Sequence, residues 1–212
     1  MGILFPSLTK TKALASSLNC KNNLKQWGYS TLLYVQDNGN SFPGGYVSYS
    51  NTRYWFDYIA EYISNNSIYI GSEIFYKNRG LEQGLHRCPV KTAFSPRASI
   101  SNPQSDYSAN CDLYFTNIDL NGTRDADYSY YGYSAKKINI LKDASNTFLL
   151  TDGKKGYNNV ILRYYDLDYS IGRIDYRHLN SNNSVFADGH VFSIPWNSVY
   201  NNIAHKNNTL WQ

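Results

Sequence analysis

Apolar positions near the start of the chain recur at helical spacing, but the stripe they form changes side midway. With about 3.6 residues per turn, Leu4, Leu8, Leu14, Ala15 and Leu18 fall on one side of a helix over residues 1–36. Cys20, Leu24, Trp27, Thr31, Tyr34 and Val35 fall on roughly the opposite side. A helix lying on one domain carries one apolar stripe, so a stripe that switches predicts two partners. The second half is expected to be pinned to its own domain by Leu24, Trp27, Thr31 and Tyr34. The first half is expected to meet something else through Leu4, Leu8, Leu14 and Leu18. Asp37-Asn38-Gly39-Asn40 should end the helix, with Gly39 suited to a left-handed cap.

Downstream, Trp55, Tyr58, Ile59, Tyr62 and Ile63 predict a second amphipathic helix over 54–63. Residues 64–135 read as a long loop region rich in Gly, Pro, Ser and Asn, the sort of segment that carries binding or subunit contacts. The last third reads as antiparallel strands at 146–151, 159–165, 184–187 and 190–194. Asp188-Gly189 between two apolar runs predicts a tight hairpin of type I′, in which both central residues have positive φ. The expected fold class is therefore α+β. A long N-terminal α-helix, 1–36, packs on an antiparallel β-sheet head, 37–212.

Composition adds a surface. Charged residues are only 17% of the chain, and Asn, Ser and 21 Tyr take their place. Such a surface suits an extracellular or cell-surface protein. The net charge of +4 comes from scattered lysines, among them Lys10, Lys12, Lys21 and Lys25 on the first helix. None forms the dense basic stripe of a nucleic-acid footprint, so no nucleic-acid partner is expected. Cys20, Cys88 and Cys111 permit one disulfide in an oxidising compartment, and spacing does not choose the pair. The apolar MGILFP start is far shorter than the ~20 residues a bilayer needs.

Several stretches together resemble the type IV pilin-like proteins, and within them the type II secretion pseudopilin-like group. These are FPSLTKTKALASSLNCKNNLKQ with YVQDNGNSFPGG, the central HRCP at His86 to Pro89, TFLLTDG at Thr147 to Gly153, and RHLNSNNSVFADGHV. The last carries a His, nine residues, then Asp-Gly: His178, Asp188 and Gly189. The resemblance implies a pilin-like fold and a prepilin-type N-terminal helix whose very hydrophobic upstream part spans the inner membrane before packing in a filament core. That part and its peptidase site are not in these residues, so membrane contact is expected only through a precursor segment. Pilus or secretion assembly machinery is an expected partner beside the chain itself.

Candidate chemistry is sparse. Asp152, Asp188 and backbone oxygens could hold calcium, as pilin-like relatives do in a C-terminal loop; His178 and His190 could hold zinc. The competing reading makes Asp188-Gly189 a plain turn with His178 bonded to backbone across it, and no cofactor is then needed. Asp119, Asn121, Asp125 and Asp127 lack the order of an EF-hand. No GxSxG, HExxH or P-loop occurs, and Cys88 followed by Pro89 suits a core or disulfide cysteine, so no catalytic residue is assigned and no enzyme is expected. The favoured function is a structural subunit of an extracellular pilin-like filament that self-assembles through its first helix and head contacts. The alternatives are a monomeric surface module binding glycan through tyrosines such as Tyr128, Tyr130, Tyr131 and Tyr133, and a minor pseudopilin of a type II secretion system.

Overall fold

The computed structural model describes residues 4–43, 46–47, 53–63, 85, 88–90, 105–110, 113, 137–153, 161–162 and 174–198. Helix α1 runs from Leu4 to Asp37, 34 residues, or about 51 Å at 1.5 Å per residue. Pro6 sits in the first turn, where its missing N–H has no helical partner to lose. The helix ends as the sequence predicts: Gly39 and Asn40 are both left-handed, and the Asn40 N–H bonds the Val35 carbonyl at 2.9 Å.

Strands β1 (Tyr46–Val47) and β2 (Arg53–Tyr54) make a two-stranded ribbon leading into helix α2, Trp55–Ile63. The main sheet holds β3 (Tyr107–Asn110), β4 (Phe148–Asp152), β5 (Ile161–Leu162), β6 (Ser181–Phe186) and β7 (Val191–Pro195). Its order is β5-β3-β4-β6-β7; β5 is parallel to β3, and the remaining pairs are antiparallel. A 3₁₀ turn, Ile138–Ile140, precedes β4. The class is α+β, a long N-terminal helix on an essentially antiparallel sheet.

Besides β5, which reads as an antiparallel strand but pairs parallel to β3, two features differ from the sequence reading. Strand β3 lies inside the span 64–135 that reads as loop, and it is an interior strand between β5 and β4. Its Tyr-Ser-Ala-Asn sequence alternates Tyr and Ala with Ser and Asn over only four residues, all of them buried; Asn110 is accommodated by donating to the Phe148 carbonyl at 2.9 Å. Second, the hairpin at Asp188-Gly189 is not type I′. Only Gly189 has positive φ there, and its N–H bonds the Phe186 carbonyl at 2.9 Å. The connection is a three-residue loop, Ala187 to Gly189, with glycine in the left-handed position of a bulge. The strand pair it joins, β6–β7, is as predicted.

The core lies between α1, α2 and the sheet. Cys20, Leu24, Trp27, Thr31 and Val35 are buried along one face of α1. Trp27 meets Trp55 edge to face at 5.3 Å, and half-buried Tyr34 meets Tyr58 and Tyr62 of α2 at 6.3 and 6.0 Å. Helix and sheet approach closely at Gly28, where an added Cβ would fall 2.5 Å from Val185 Cγ2 of β6. Gly28→Ala should therefore cost about 1–3 kcal/mol, even though alanine favours helix. Urea denaturation checks this; a stabilised variant would mean that helix and strand are not in contact there.

Candidate functional site

Two features of α1 stand out, one at each side of Cys20. On the N-terminal side every residue from Pro6 to Lys12 is exposed. Leu8, Leu14 and Leu18 are 68%, 52% and 59% exposed. The side chain of Leu4 lies outside the described residues. Cys20 is the first buried residue of the helix among those described. The first two turns thus stand clear of the head on every side, the leucine face stays exposed further along at Tyr29 (50%) and Leu33 (48%), and the stripe predicted to pin the helix is seated on the head.

At the junction four ionisable side chains converge. Cys20 comes from α1, Cys88 from the segment after Leu85, Asp152 from the end of β4, and His178 from the approach to β6. All four are buried, and their ligand-capable atoms lie within 4.8 Å of one another. Cys20 Sγ donates to Asp152 Oδ1 at 2.9 Å and lies 3.4 Å from the Tyr107 hydroxyl. Cys88 Sγ is 3.2 Å from His178 Nε2, which is 3.5 Å from Asp152 Oδ2.

Three of the four are anchored by hydrogen bonds that involve the backbone. The Cys88 N–H donates to Asp106 Oδ2 at 2.8 Å, and the Asn183 N–H donates to Asp152 Oδ2 at 2.8 Å. His178 and Ser181 exchange backbone hydrogen bonds across Leu179-Asn180, both with positive φ. That is the type I′ geometry, found beside His178 and not at Asp188. Leu179 is a costly residue for a left-handed position. The tight turn carries the chain from His178 directly to Asn183, so two supports of the cluster are set by one reversal.

Burial shapes the electrostatics. Desolvation pushes the Cys20 thiol far up, and Asp152 next to it adds to the rise. The neighbouring Cys20 thiol pulls Cys88 down against its own burial, helped by His178 and Arg177. Burial pushes Asp152 up to about 6, although the positive charge of Arg177 acts against the rise. Arg177 pairs with Asp175 at 3.0 Å and donates to the Gly153 carbonyl.

The other sequence candidates fall elsewhere. The β4–β6 register pairs Phe148 with Phe186 and Thr151 with Ser184. Asp152 and Asp188 therefore sit at opposite ends of the strand pair, roughly 16 Å apart at about 3.3 Å per residue, and do not share an ion. Asp188 and His190 form an exposed pair at 2.6 Å, with the His190 ring stacked on Phe186. His178 and His190 are likewise separated, one in the core and one on the turn. Calcium at Asp152 is disfavoured by its neighbours, because thiols and imidazole replace the six to eight oxygens that ion takes. Cys20 and Cys88 are free thiols facing one cluster. Cys111, His86, the Asp119–Asp127 loop and the Tyr128–Tyr133 run lie outside the described residues.

The cluster can do two things: close a disulfide between Cys20 and Cys88, or ligate a metal. The Cys88–His178 pair resembles a nucleophile with its base, but a nucleophile must be reached by substrate, and both residues are buried. No family model matches the chain, and neither the curated proteins nor the solved structures contain a match.

Proposed function

We propose that this chain is a structural subunit of an extracellular pilin-like filament, assembled through the exposed N-terminal half of α1 against the same helix of other copies. The observation that carries the reading is the division of one helix into a seated half and a projecting half, with leucines at 8, 14 and 18 facing solvent. A free helix half of this length does not stay helical in water by propensity alone. Burial of each leucine by a neighbour contributes about 1.5–3 kcal/mol, which opposes the entropy lost on association. Head-to-tail contacts that do not close on themselves extend into open polymers.

Charge sets the condition for assembly. Between Leu4 and Gln36 the helix carries Lys10, Lys12, Lys21 and Lys25 and no carboxylate. Parallel copies repel until salt shortens the Debye length, to about 3 Å near 1 M. Filaments should form more readily as salt rises. Among the described residues no helix is long and apolar enough to cross a membrane.

Negative-stain microscopy and light scattering of the purified chain test the reading. Leu8→Asp with Leu14→Asp should abolish polymer and leave a folded head, with unchanged denaturation of the seated half. Filaments that persist in this variant would refute helix-core assembly. A chain that stays monomeric at every concentration and salt, yet binds glycan, would favour the surface-module alternative.

A further inference from the structure

We infer that Cys20, Cys88, Asp152 and His178 bind one zinc ion in a closed tetrahedral site that fastens α1 to the head. The inference stands apart from the filament reading, since it concerns the seated half of the helix only.

The donor set comes first. Two thiolates, one imidazole and one carboxylate all belong to the sulfur, nitrogen and oxygen ligand types that zinc takes, and two soft thiolates beside an imidazole favour zinc over calcium or magnesium. Bonds of about 2.0–2.3 Å place tetrahedral ligands about 3.3–3.8 Å apart. The three contacts inside the cluster are 2.9, 3.2 and 3.5 Å. Small outward movements of side chains are enough to admit the ion at the centre.

Position and charge agree with this. The ligands come from four separate places in the chain, and the backbone bonds described above fix Cys88, Asp152 and His178 before any ion arrives. Such a preset cage with no exposed edge describes a structural site and not a catalytic one, which keeps an open position. Charge favours a cation as well: two thiolates and a carboxylate carry three negative charges, of which zinc offsets two, with the Arg177 guanidinium nearby but shared with Asp175. On binding, each thiol gives up its proton to solvent and no electron is transferred. In a dry core, a cluster of four ionisable groups without such an ion leaves charge imperfectly paired.

The full chain, purified with reductant, should contain one zinc per molecule by elemental analysis. Cobalt(II) added to the stripped protein should give the intense visible bands of a tetrahedral site together with thiolate charge transfer. Cys88→Ser and His178→Gln should each hold below about a tenth of an equivalent at matched free zinc, while His190→Ala, on the exposed turn, should retain the ion. The cobalt spectrum uses the unmodified chain, so a variant that fails to fold does not decide the matter. Absence of both zinc and a tetrahedral cobalt spectrum would overturn the inference. So would a Cys20–Cys88 disulfide found in the native protein by mass spectrometry.

Discussion

Trp27→Ala should lower the free energy of unfolding by about 3–5 kcal/mol and release the helix from the head. Trp27 is fully buried, packs edge to face on Trp55, and donates its indole N–H to the Leu85 carbonyl at 2.9 Å. Truncation removes the largest side chain of the seated stripe. It leaves a cavity beside Trp55 and strips the Leu85 carbonyl of its partner. The change should appear in urea denaturation as a lower midpoint and in near-ultraviolet circular dichroism as lost aromatic signal. Leu14→Ala, on the exposed half, should stay within about 0.5 kcal/mol of the parent. If the two variants were equally mild, the helix would not be divided into seated and projecting halves.

The second large effect is at Asp152. With metal removed by chelation, Asp152→Ala should cost about 3–5 kcal/mol, because it leaves the Asn183 N–H and the Cys20 thiol without their acceptor and weakens the charge balance of Arg177. Asp152→Asn separates charge from shape. Burial raises the folded carboxyl to about 6 from its ordinary 3.8. A group raised on folding gives its full stabilisation below its unfolded value and loses it as pH climbs through the folded one. Relative to the Asn variant, the chelated parent should therefore be most stable below about pH 4 and lose ground up to about pH 6. The full swing is on the order of 3 kcal/mol, from roughly two pH units at 1.36 kcal/mol each. Denaturation of both proteins at several pH values measures the difference. A difference that grew with pH would show that the carboxylate is held as a favoured anion.

The sequence made the helix and its two faces readable because each half of α1 keeps a 3.6-residue period of its own, and because Trp, Leu and Val mark the seated side. The β6–β7 hairpin was equally plain from two apolar runs around Asp-Gly. Strand β3 was not, since a strand buried on both faces can use Ser and Asn when partners for them exist, as Phe148 does for Asn110. The type I′ turn was misplaced for a similar reason: the left-handed pair is Leu179-Asn180, and leucine is not a residue that announces positive φ.

The site shows the same limit more sharply. Cys20, Cys88, Asp152 and His178 were each visible as candidates, yet their spacing carries no metal-ligand signature. Nearness along the chain instead drew His178 toward Asp188 and His190, on the far side of the hairpin. Only the packing of α1 across β6 and the turn at Leu179-Asn180 bring the four together. A signal was available in Cys20 itself, a small thiol on the helix face shared with Leu24 and Trp27.

The seating of α1 along the sheet also has a mechanical consequence. Its buried residues run in a line from Cys20 to Val35, with Gly28 pressed on Val185 at mid-length. A force pulling the exposed arm along the helix axis would load this row of contacts together, in shear, and would have to slide Trp27 past Trp55 and Gly28 past β6 in one event. A force lifting the arm away from the sheet would instead load the contacts one after another, starting at Cys20. The head should therefore resist tension along the arm far better than bending, and the cluster at Cys20 is the point where bending would begin to unzip it.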